Sequence, residues 1–62
     1  MMNIKDLKEE IKRAYRVLGK REGFWQNETD ITAWKNEGLI NNREFIILRG
    51  FNTAIREGEI SY

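Results

Sequence analysis

Sixty-two residues leave room for one domain, spanning 1–62, and a chain of this size buries only roughly 60% of the surface that its unfolded form exposes. The absence of Cys and His excludes disulfides, thiolate or zinc sites, cysteine nucleophiles and the usual general base at neutral pH. Eleven Lys and Arg against ten Asp and Glu give a formal charge of +1, too balanced for a dedicated nucleic-acid binder but suited, with 40% hydrophobic residues, to a folded and highly charged domain.

Ile4, Leu7, Ile11, Ala14, Tyr15 and Leu18 recur at spacings of three and four. Their arc of about 100° is the buried stripe of an amphipathic helix. Asn3 is placed to cap its start and Gly19 to follow its end. Acids precede bases along the segment, which suits the helix dipole. The spacing predicts a helix over about residues 4–18. Charges at Lys5 and Asp6 interrupt the N-terminal stretch, so no secretory leader is read there. No apolar run approaches the ~20 residues that span a bilayer. The expectation is a cytoplasmic protein.

Lys20 to Gln26 reads as a loop, with Gly23 beside two aromatics, Phe24 and Trp25. A short second helix is expected over about 28–37, capped by Asn27 or Thr29, carrying Ile31 and Trp34 and stopped by Gly38. The third start signal is the sharpest. Asn41 stands three residues before Glu44 as a capping box, with Ile40 and Phe45 spaced as a hydrophobic staple. Phe45, Ile47, Leu48, Phe51, Ala54 and Ile55 then form an apolar face, giving a helix over about 42–57. Gly50 inside it costs about 1 kcal/mol relative to Ala unless a close helix crossing or a kink offsets it. The tail Glu59-Ile60-Ser61-Tyr62 either lies back on the core or frays. The whole is expected to be a small all-α, three-helix domain.

The run Gly38-Leu39-Ile40-Asn41-Asn42-Arg43-Glu44-Phe45 has the form that closes an EF-hand loop, yet Ala33 and Lys35 stand where calcium needs oxygen ligands. The calcium reading therefore fails. With Ile31 and Trp34 before Gly38, and Ile40, Glu44, Phe45 and Arg49 in register, residues 31–49 resemble the SHOCT family of short helical hairpins. Asn41 replaces the capping Thr of that family, and Gly50 and Phe51 depart from its pattern. The resemblance implies an interaction or oligomerisation module without catalytic residues. A phage or mobile-element setting goes with it.

Catalysis has little to draw on. Ser61, Thr29, Thr32 and Thr53 have no His or Cys to activate them. Glu9 and Glu10, adjacent on a helix, point about 100° apart rather than forming a carboxylate pair. The five Gly stand singly, so no phosphate loop exists. No cofactor, metal or small-molecule substrate is expected. The expected function is that of a small regulatory or accessory protein that binds another protein or itself, as a homodimer for instance. Its candidate surfaces are the basic side of the first helix (Arg13, Arg16, Lys20) and the outward apolar residues Trp25 and Ile46. Trp25, Trp34, Phe24 and Tyr62 are either core or interface anchors. The alternative is a helix-turn-helix-like nucleic-acid module in which Lys12, Arg13, Arg16 and Lys20, within about 100° on a helical projection, meet phosphate and Arg43 assists.

Overall fold

A computed structural model describes residues 3–62; Met1 and Met2, part of the N-terminal stretch read above, lie outside the described residues. Asn3 caps the first helix as expected: its side-chain oxygen accepts from the Asp6 amide at 2.9 Å. This helix, α1, runs Ile4–Leu18 and buries Leu7, Ile11 and Tyr15. Its stripe stops one turn early, since Leu18 is exposed.

The expected loop is absent. Gly19 turns the chain in a single residue, and α2 runs Lys20–Asn36 without interruption. Gly19 has φ 88° and ψ 172°, a region of backbone space essentially open only to glycine. Its N–H closes α1 on the Tyr15 carbonyl (2.9 Å), and its own carbonyl accepts from the Gly23 amide (2.8 Å) to open α2. Lys20 to Gln26 is thus the first half of a helix rather than a connection. Gly23 explains the reversal of expectation: a Cβ there would stand 2.8 Å from the Tyr15 Cα. Glycine at this position permits the close approach of α2 to α1, and the buried helix face offsets its propensity cost. Asn27 is likewise no cap but a mid-helix residue that is 1% exposed.

Turn residues Glu37 to Asn41 lead into α3, Asn42–Arg56, within a residue of the expected bounds. The capping box is complete: the Glu44 amide donates to the Asn41 side-chain oxygen (2.8 Å) and the Asn41 amide to the Glu44 carboxylate (2.9 Å). Ile40 is buried and Phe45 packs on the core. Gly50 is not at a helix crossing, since a Cβ there would meet nothing within 4 Å. The close crossing is at Gly23 instead.

α2 is the central element, packing broadly on both neighbours, while α1 and α3 meet over a shorter stretch. Among the described residues the buried apolar ones come from all three helices and the turn: Leu7, Ile11, Tyr15, Phe24, Ile31, Ile40, Leu48 and Ile55. Two buried asparagines interrupt them. Asn27 donates to the Ile11 carbonyl (2.9 Å) and to the Asn52 side-chain oxygen (3.1 Å). Asn52 donates in turn to the Phe24 carbonyl (3.2 Å) and the Glu28 carboxylate (3.1 Å), and the Tyr15 hydroxyl donates to the Asn52 carbonyl (2.8 Å). Arg49 pairs with Glu28 at 3.4 Å at the outer end of this chain. Among the described residues no buried side-chain polar atom is left without a partner, which is the condition for a polar core to be tolerated. The tail lies back on α1: Tyr62 stacks on Tyr15 with ring centroids 5.1 Å apart, and Ile60 packs on the core.

Candidate functional site

At the end of the bundle where α2 begins and α3 ends, the polar core meets the surface. Asn52 ties the Phe24 carbonyl to α3, and Arg56 lies one helical turn beyond Asn52. That register brings the Arg56 guanidinium over the Phe24 ring, 4.4 Å from its centroid. Trp25 stands edge-on to Phe24, with centroids 5.1 Å apart and planes at 78°. Lys20 and Arg21, the first residues of α2, complete a cleft of about 380 Å³ lined by Lys20, Arg21, Phe24, Trp25 and Arg56. Its walls carry three cations and two aromatics and no carboxylate. No side chain caps the first turn of α2 there, so its amides carry partial positive charge, set against the partial negative charge of the α1 and α3 C-termini at the same end.

Trp25 is 59% exposed, a large apolar area for a side chain with no structural duty beyond its contact with Phe24. On its other side a shallower groove runs between Arg21, Glu22, Gln26 and Thr29. Lys20 also borders the surface under the tail, beside Ile60 and Tyr62.

The expected basic face of the first helix keeps Lys12, Arg13 and Arg16 on α1 but loses Lys20. Because α1 ends at Leu18 and the chain reverses at Gly19, Lys20 belongs to α2 and leaves the projection that joined it to Lys12, Arg13 and Arg16. Arg13 faces Glu10, at 4.0 Å, in a groove shared with Val17 and Asp30. Arg16 donates to the Tyr62 main-chain oxygen (3.0 Å) and so holds the tail. Lys12 is partly buried. Arg43 and Ile46 are exposed on α3, Ile46 by 69%, and neither lines the cleft. Of the sequence candidates, Lys20 and Trp25 meet at the cleft, while Lys12, Arg13 and Arg16 remain neighbours on α1 and do not line it. Arg21 stands in the basic stretch and Phe24 among the aromatics, whereas Arg56 carries no local signal. It is 31 residues from Trp25 in sequence (56 − 25) and reaches the cleft only through the packing of α3 on α2.

Burial pushes the Tyr15 hydroxyl up to about 12; Glu28 and Tyr62 add to the rise, and the nearby Arg56 charge opposes it. Tyr15 therefore acts here as a neutral hydrogen-bond donor at physiological pH. Among the described residues no group of His, Cys, Asp and Glu is arranged to hold a metal ion, and no helix is long and apolar enough to cross a membrane. Comparison with protein families, with curated proteins and with solved structures finds no match.

Proposed function

We propose that this chain is a non-enzymatic binding protein, a small regulatory or accessory factor that docks a segment of another protein against Trp25. The observation that supports this reading is an exposed Trp set among three cations, unpaired among the described residues, at one end of the bundle. Trp and Arg dominate binding hot spots, because a large flat side chain displaces much water at little cost in conformational entropy.

The test is affinity capture with the full chain beside its Trp25→Ala and Arg21→Glu variants, with and without nuclease, followed by reconstitution of any captured protein from purified components. A partner that binds the wild type directly, resists nuclease and is lost with Trp25→Ala carries the reading. Recovery that disappears with nuclease, or a partner indifferent to both variants, would overturn it.

A further inference from the structure

Resting on that docking reading, we propose that the occupant of the cleft is an acidic protein segment in which a carboxylate side chain lies next to a large apolar one. The cleft is first of all positive. Lys20, Arg21 and Arg56 line one space, and none of them forms an ion pair among the described residues. Three arginines elsewhere are already engaged: Arg13 with Glu10, Arg49 with Glu28 and Arg16 with the Tyr62 main chain. Three uncompensated charges thus share one small space, and like charges held together are relieved by an anion.

Arg56 is also preorganised. With one face of its guanidinium held against Phe24, its rotamer freedom is reduced and the N–H fork is left at its edge. Such a fork matches the two oxygens of a carboxylate, and part of the ordering cost is met before the ligand arrives. The adjoining exposed area of Trp25 calls for an apolar neighbour to that carboxylate.

A phosphate backbone would suit the three cations but not their surroundings. Glu22 follows Arg21 into the groove beyond Trp25, and Glu57 follows Arg56. A continuous polyanion leaving the cleft past Arg21 would run towards Glu22. A short segment with one or two carboxylates ends where the positive charge ends.

The experiment is selection of a random-peptide library on the full chain, followed by affinities of the selected peptides at low and high salt. The wild type is compared with Trp25→Ala, Arg56→Lys and Arg56→Glu, and a short oligo-dT is run in parallel. Circular dichroism melts establish that each variant is folded. The expected result is a consensus with Asp or Glu beside Phe, Leu or Trp, lost in Trp25→Ala and Arg56→Glu. Arg56→Lys, which keeps the charge but not the fork, should weaken binding roughly tenfold. An apolar consensus without acids that still depends on Trp25 would overturn the acidic occupant while leaving the docking reading intact. Peptides indifferent to both Trp25 and Arg56, or no selected peptide at all, would overturn both. Oligo-dT binding that is lost in Arg56→Glu, without a peptide consensus, would assign the cleft to nucleic acid instead.

Discussion

The side-chain amide of Asn27 donates to the side-chain oxygen of Asn52 across the α2–α3 interface, 3.1 Å apart, in a place from which water is excluded. Each asparagine also donates to a main-chain carbonyl of another helix, Ile11 for Asn27 and Phe24 for Asn52. The pair therefore joins all three helices in one register. Removing one member strands the groups that bonded to it, and each unmet buried group costs about 1–3 kcal/mol. Asn52→Ala should lower unfolding stability by about 2–3 kcal/mol in urea melts, against a total of roughly 3–9 kcal/mol for a chain of this length. A loss under about 0.5 kcal/mol, the size of an ordinary surface substitution, would show that the network is not formed in solution.

Two glycine substitutions should move stability in opposite directions. Gly23→Ala drives a Cβ to 2.8 Å from the Tyr15 Cα, where only helix displacement relieves the clash, and should destabilise by about 1–3 kcal/mol. Gly50→Ala adds a Cβ to open space in mid-helix and should stabilise by about 0.5–1 kcal/mol. Thermal melts of the two variants beside the wild type decide the matter.

Tyr15 confers a specific alkaline sensitivity. Its folded pKa of about 12 lies above its ordinary value of 10.0, so the folded state holds the proton more tightly than the unfolded one. That contribution is fully present below pH 10 and is lost as pH rises through 12, with a slope of up to about 1.4 kcal/mol per pH unit from this group alone. Tyr15→Phe starts from lower stability, having lost the hydrogen bond to Asn52, but should show a shallower decline over that range. Parallel slopes in pH-dependent denaturant melts would contradict this.

Trp25→Ala should separate binding from folding. The indole is mostly in solvent, and its edge-to-face contact with Phe24 is worth about 0.5–1.5 kcal/mol. The melting temperature should therefore fall by at most about 12 °C, while partner binding is lost.

The first and third helices are readable because caps and apolar spacing agree there: Asn3 with Leu7, Ile11 and Tyr15, and the Asn41–Glu44 box with Leu48 and Ile55. The first half of α2 is not. Its buried positions Gly23, Phe24 and Asn27 do follow helical spacing, but two of them are residues that local propensity assigns to turns. Glycine is there for a backbone approach and asparagine for main-chain carbonyls of other helices, neither of which shows in a hydrophobic pattern. The same gap reaches the site. Treating Lys20 as an extension of α1 assigns it to a basic face that the turn at Gly19 takes it away from, and it hides the meeting of Lys20 and Arg21 with Arg56. Trp25 is legible only as a candidate for core or interface, and its 59% exposure in the fold decides against the core.

Gly19 alone separates two helices that, unbent, would form one continuous rod from Ile4 to Asn36, about 50 Å long at 1.5 Å per residue. A β-branched residue at that joint could not hold φ 88°, and the least strained escape is to straighten. α1 would then lose its own α2 and α3 and find the equivalent surfaces on a second molecule, rebuilding the same core by exchange. Gly19→Val should accordingly appear as a concentration-dependent dimer rather than as an unfolded chain. One residue's backbone thus decides whether the helices pack within one chain or exchange between two.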